Sequence, residues 1–139
     1  MSSREAQASA AQRNSGLRKL KKLALVLDLD LTLIHCIMVP RNEPAVPDCH
    51  DFSLDEGNTS TLASPFSKQN FRVCLRPHVK HFLAEASKQY RLFVYTHGTR
   101  PYAEKVTSLL DPRGTLFSQR IVSRTDTADV GKGVKSLSR

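Results

Sequence analysis

Two aspartates set two residues apart, in Asp28-Leu29-Asp30-Leu31-Thr32, are the residues of this chain best suited to chemistry. A carboxylate can attack phosphorus and hold the phosphoryl group as an acyl phosphate, which divides a hard hydrolysis into two easier displacements. A second carboxyl beside it can protonate the leaving alkoxide and then take a proton from the attacking water. The leucines between the acids are expected to turn into the core, and Thr32 to fix the turn by local hydrogen bonding. A plainer alternative is a strand that ends on a solvated rim, but Leu33 and Ile34 resume the apolar run just beyond the acids. Thr96, after Leu92-Phe93-Val94-Tyr95, offers a hydroxyl and the following backbone N–H groups to a phosphoryl oxygen, although a threonine after a strand is also an ordinary turn residue. Lys135, in Val134-Lys135-Ser136-Leu137, carries an ammonium able to neutralise phosphoryl charge, and local spacing does not set it apart from the other basic residues.

These residues need a scaffold. Leu23 to Leu27 is a continuous apolar run of the kind that a strand buried on both faces of a parallel sheet requires. Leu33 to Val39 is a second apolar stretch, closed by Pro40, and the polar segment 41–70, with Pro44, Pro47, Gly57 and Pro65, reads as a long loop or insertion. Phe71 to Leu75 predicts a short strand, and Arg76-Pro77 opens a helix with Val79, Phe82, Leu83 and Ala86 on one face. Arg91 to Tyr95 is the next buried strand, and Pro101 begins a helix whose inner face carries Ala103, Val106 and Leu110. Asp111-Pro112-Arg113-Gly114 makes a tight turn, and Gln119 to Ser123 a third strand. Strands alternating with helices imply an α/β fold, a three-layer sandwich around a parallel central sheet. Ligands in such sheets bind beyond the carboxyl ends of the strands, where Asp28 to Thr32 and Thr96 to Thr99 both fall.

With 139 residues, 40% of them hydrophobic, the chain has material for one core, and 21–139 is expected to form it. Residues 1–20, rich in Ser, Ala, Gln and Arg, read as a disordered basic tail. A formal charge of +8 favours an acidic partner: nucleic acid, an anionic membrane or a phosphorylated peptide. A nucleic-acid binder would want exposed aromatic residues, and only 6% of the chain is aromatic. No apolar run approaches a membrane span, the N-terminus lacks the apolar stretch of a secretory signal, and the chain is expected to be soluble and intracellular. Three cysteines without CxxC pairing argue against a disulfide framework and suit a reducing compartment. His35-Cys36 and Cys49-His50 match no common zinc spacing.

The run Leu25-Val26-Leu27-Asp28-Leu29-Asp30-Leu31-Thr32-Leu33-Ile34-His35 resembles the first motif of the haloacid dehalogenase superfamily, and within it of the TFIIF-associating RNA polymerase II C-terminal-domain phosphatases. Leu75-Arg76-Pro77 and Tyr95-Thr96-His97-Gly98-Thr99-Arg100-Pro101-Tyr102-Ala103 resemble the family's next landmarks, and the likeness runs from about Lys22 to Arg139. The resemblance implies that Asp28 is the nucleophile and a Mg2+ ligand, and that Asp30 is the general acid/base and a backbone metal ligand. It further implies Thr96 as phosphate binder and Lys135 as the third-motif lysine, with Arg76 and Arg100 in segments that touch substrate. The implied substrate is phosphoserine in the polymerase tail, the implied address the nucleus, and TFIIF an implied partner. Arg18-Lys19-Leu20-Lys21-Lys22 would suit nuclear import or a solvated charge run. The Arg- and Ser-bearing N-terminus also suits a mitochondrial import component of the superfamily, with Glu5 counting against it. Family members carry a fourth motif, two aspartates ending a strand beside Leu23 to Leu27, and no such pair precedes Arg139. The resemblance therefore implies a C-terminally incomplete domain with a bare edge on its first strand, and as alternative function a catalytically impaired phosphopeptide- or partner-binding module.

Overall fold

The structure, a computed structural model, describes residues 22–55 and 68–127 and five isolated positions, 7, 8, 11, 12 and 15. The expected disordered tail and Lys135 thus lie outside the described residues, apart from those five positions, which are helical. The described residues from 22 onward form six strands and three helices: β1 Leu23–Leu27, β2 Ile34–Met38, β3 Cys49–Asp55, β4 Lys68–Leu75, α1 Val79–Gln89, β5 Tyr90–Tyr95, α2 Arg100–Leu110, β6 Ile121–Val122 and α3 Arg124–Thr127.

A parallel sheet of order β1-β5-β6 forms the centre, with Leu25 opposite Leu92 and Leu27 opposite Val94. Helices α1 and α2 pack their apolar stripes on it: Val79 and Leu83 from the first, Tyr102, Ala103, Val106 and Leu110 from the second, all in one core with Leu27, Leu92 and Val94. The α/β class and parallel centre are as expected. Two packing expectations are not. Phe82 is 45% exposed, because the inward stripe of α1 runs through Val79, Leu83 and Ala86 and turns position 82 to its flank. The first strand is not covered on both faces, for Leu23 is 73% exposed and Val26 is exposed too, and among the described residues it pairs only with β5.

The second sheet was not legible as such. Strands β2, β4 and β3 form an antiparallel sheet, in that order, so the stretches Leu33 to Val39 and Phe71 to Leu75 pair with each other instead of joining the parallel sheet. The polar segment 41–70 is in part strand, contributing β3 and the start of β4. Alternation in β3 explains this, because Phe52 and Leu54 face the core while Asp51, Ser53 and Asp55 face water. Arg72 of β4 is buried and holds the sheet's flank, donating 2.8 and 2.7 Å hydrogen bonds to Asp51 and a third, 2.6 Å, to the Pro44 carbonyl. Cys49 and Cys74 stand directly opposite across β3 and β4, Cα atoms 4.3 Å apart, and form a disulfide. This corrects the expectation of three thiols: the partners are 25 residues apart, and only strand pairing brings them together. Cys36 is free.

Candidate functional site

Strand β1 delivers its last buried side chain, Leu27, and the chain then knots tightly. The Leu29 carbonyl accepts hydrogen bonds from the N–H groups of Thr32, Leu33 and Ile34 at 3.2, 2.9 and 3.1 Å, and Leu31 N–H donates to Ile34 O at 2.8 Å. Leu29 is fully buried and plugs this knot into the core. Leu31 does not follow it inward: it adopts the left-handed conformation, φ 61°, and is 74% exposed. Both aspartates are consequently half-buried at the carboxyl end of the parallel sheet. Thr32 Oγ1 stands 3.5 Å from Asp28 Oδ2, at the limit of hydrogen bonding.

The neighbouring strand supplies Thr96. Leu27 pairs with Val94, so Thr96 comes two steps past the paired end of β5 beside the Asp28 to Asp30 turn. Thr96 is buried, its N–H bonds Val122 O at 2.9 Å, and its hydroxyl accepts from the Gly98 N–H at 3.1 Å. Arg76 is tied to the same region through its backbone, its N–H donating to Leu33 O at 3.0 Å, while its side chain is exposed. Arg100 is engaged internally: its guanidinium donates to Glu104 at 2.8 Å, to the Ile121 carbonyl at 2.8 Å and to Asp126 at 3.3 Å, bracing α2 against β6 and α3. Those partners, Glu104 foremost, hold it firmly protonated.

Several residues that sequence reasoning passed over line the cleft. Met38, Thr99, Tyr102 and Arg124 join Asp30 and Cys36 among the walls of a depression of about 370 Å³. Tyr102 is 5% exposed, and its hydroxyl donates to Asp30 Oδ1 at 2.6 Å. Burial, and after it the hydrogen bond to Asp30, push its phenol far above the usual tyrosine range, so it stays a neutral donor. Burial also pushes the Cys36 thiol up, although the Tyr102 hydroxyl beside it partly offsets this, so Cys36 is not an activated nucleophile. Thr99 Oγ1 is buried with no hydrogen-bond partner among the described residues. A signal for Tyr102 was present: positions 102, 103, 106, 107 and 110 form one buried helical stripe.

Metal chemistry fits the acids in kind. Magnesium takes hard oxygen ligands and usually only one or two protein carboxylates, the remainder being water and substrate oxygens. The Asp28 carboxylate and the Asp30 backbone carbonyl are such donors, and among the described residues no group of three His, Cys, Asp or Glu side chains forms a fuller cage.

Residues 23–139 match the family described as NLI interacting factor-like phosphatase. The chain belongs to that family. Its relatives include the RNA polymerase II C-terminal domain phosphatases of fission yeast, Schizosaccharomyces pombe, and of Homo sapiens. The first is 34% identical over 88% of this chain, the second 34% over 93%. The match spans 17% and 12% of those relatives' own lengths. Among solved structures, Fcp1, an essential RNA polymerase II CTD phosphatase, superposes with a TM-score of 0.70 at 32% identity, over 84% of this chain and 34% of that one. An arginine-to-alanine variant of fission yeast Fcp1 bound to beryllium fluoride gives 0.69 at 31% identity, with the same coverage. The α/β scaffold that places the two-aspartate turn after β1 and the threonine after β5 is shared with Fcp1.

Proposed function

We propose that the chain is the catalytic portion of a protein-serine/threonine phosphatase that acts on the phosphorylated C-terminal tail of RNA polymerase II, with Asp28 as nucleophile. The observation that carries this reading is the pair of carboxylates, Asp28 and Asp30, held at the carboxyl end of a parallel sheet next to buried Thr96, in a chain 34% identical to proteins named for that reaction. Asp28 attacks phosphorus, and Asp30 gives a proton to the departing serine oxygen. Asp30 then takes a proton from the water that attacks the phospho-aspartate. Thr96, its hydroxyl oriented by the Gly98 N–H, holds a phosphoryl oxygen, and Lys135, outside the described residues, is assigned to the same charge. The Asp28 carboxylate and the Asp30 carbonyl would hold Mg2+, which would offset the negative charge of nucleophile and phosphate.

Arg124, in the wall of the cleft, and Arg76, at the end of β4, are the cations we assign to flanking phosphopeptide, while Arg100 contributes by bracing α2. A nuclear address, which suits relatives named for RNA polymerase II, and an association with TFIIF, which rests on the sequence resemblance alone, belong to the same proposal. A module that only bound phosphopeptide would gain nothing from two carboxylates facing the anion. The test is hydrolysis of an aryl phosphate and of a polymerase-tail phosphoserine peptide, with and without magnesium. Magnesium-dependent turnover reduced at least about 10⁴-fold by Asp28→Asn supports the reading. A folded chain that binds the peptide and releases no phosphate would replace it with the binding-module alternative.

A further inference from the structure

We propose that Tyr102 is the positioning residue of the acid/base: it anchors Asp30 by one carboxyl oxygen, Oδ1, and so reserves Oδ2 for proton transfer. This deepens the phosphatase reading and rests on it. A carboxyl group that rotated freely would present either oxygen in many directions, and proton transfer needs one oxygen held within hydrogen-bond reach of the reacting atom. The 2.6 Å bond from the Tyr102 hydroxyl removes that freedom.

Four features make Tyr102 a rigid anchor. Its backbone belongs to the first turn of α2, fixed by Pro101 and by the Ala103 N–H bond to Thr99 O at 2.9 Å. Its ring packs against Phe71 and Phe52, with centroids 5.6 and 6.3 Å away. On another side lies Gly98, where even a methyl group would meet the ring at 2.5 Å. The residue is 5% exposed, and the hydroxyl meets Asp30 Oδ1 at 2.6 Å.

The proposed sequence balances. Protonated Asp30 gives its Oδ2 proton to the serine oxygen as the P–O bond breaks and the Asp28–phosphorus bond forms. The resulting Asp30 carboxylate takes a proton at Oδ2 from water as that water attacks phosphorus and Asp28 departs. Tyr102 donates to Oδ1 throughout.

Such a role has a signature that loss of packing lacks. The constant kcat/KM reads the step in which the ester oxygen leaves, and help from a general acid matters most when that oxygen is a poor leaving group. Tyr102→Phe in the full chain, with magnesium, is expected to lower kcat/KM about 10- to 100-fold for phenyl phosphate and phosphoserine peptide. For 2,4-dinitrophenyl phosphate the expected loss is no more than about 3-fold. Equal loss on all substrates, or none, would overturn the proposal. Asp30→Asn separates it from the reading beneath: if Asp30→Asn shows the leaving-group dependence and Tyr102→Phe does not, Tyr102 alone is refuted. If Asp30→Asn shows none, the acid/base assignment falls and this proposal with it. An NMR search for a downfield, slowly exchanging hydroxyl proton tests the bond without turnover. Its loss in both Tyr102→Phe and Asp30→Asn is expected, and its absence from the parent chain would count against the anchor.

Discussion

Gly98→Ala tests how closely the Asp28 to Asp30 turn and the packing behind it are coupled. The added Cβ would lie 2.5 Å from Tyr102 Cδ1 and 3.1 Å from Cε1, whereas non-bonded carbons rest about 3.5 to 4.0 Å apart. The ring must therefore retreat by roughly 1 Å, and Phe71 and Phe52 stand among its neighbours. Overpacking of this kind costs about 1–3 kcal/mol of stability. The same retreat would stretch the 2.6 Å bond to Asp30 to roughly 3.5 Å, beyond useful hydrogen bonding. A misplacement of about 1 Å at a reacting group costs on the order of 10²-fold in rate. Backbone strain does not confuse the result, because Gly98 is not in the left-handed region, and alanine keeps the N–H that bonds Thr96.

The assay is a urea midpoint alongside kcat/KM on a phosphoserine peptide. Gly114→Ala is the control: Gly114 has φ 67° and open space around its Cβ position, so it is expected to lose about 1 kcal/mol from backbone strain with activity unchanged. Gly98→Ala with stability within about 0.5 kcal/mol and activity within about 2-fold of the parent would refute the reasoning, since Tyr102 would then have room to spare.

Two further outcomes are expected. Burial pushes the Asp126 carboxyl up, but hydrogen bonds from the Ser123 hydroxyl and N–H, both 2.7 Å, and the Arg100 charge outweigh it and hold the group below the usual aspartate range. A depressed carboxyl stabilises the fold above its unfolded pKa, about 3.9, and that stability is lost as pH falls through the folded value, so Asp126→Asn should flatten the acid limb of urea midpoint against pH. Reducing Cys49–Cys74, which closes a 25-residue separation, should lower stability by about 3.5 kcal/mol by the chain-entropy relation, measured by unfolding with and without dithiothreitol; an unchanged midpoint would mean the cysteines are unpaired in solution.

The elements that position the candidate site were legible where one local signal sufficed. Leu23 to Leu27 and Arg91 to Tyr95 are apolar runs ended by polar residues, and Pro77 and Pro101 mark helix starts to within two residues. Asp28, Asp30 and Thr96 stood out because strand ends in parallel sheets are where such residues meet. The second sheet was hidden because prolines and polar residues in 41–70 outweighed the short alternation of Phe52 and Leu54. Long-range pairs were beyond local reading altogether: Tyr102 and Asp30 are 72 residues apart, and Cys49 and Cys74 are 25 apart. Arg100 shows the converse, a residue conspicuous in sequence whose guanidinium the fold turns inward to Glu104, Asp126 and Ile121.

Leu31 shows what this arrangement costs and why it persists. A leucine held at φ 61° with its side chain in water gives up about 1–2 kcal/mol of backbone energy and leaves apolar surface unburied. A regular strand through 28–32 would avoid both penalties. It would also carry Asp30 and Thr32 onward along one face, away from the sheet's end. The left-handed step instead folds the chain back so that Thr32, Leu33 and Ile34 all donate to the Leu29 carbonyl, and Leu29 anchors the knot in the core. The local strain is offset by those bonds and that burial. What it secures is an Asp30 carboxyl within 2.6 Å of Tyr102, whose ring rests on Phe52 and Phe71 of the inserted sheet. That sheet is therefore part of the support for the candidate acid/base, not an appendage to the fold.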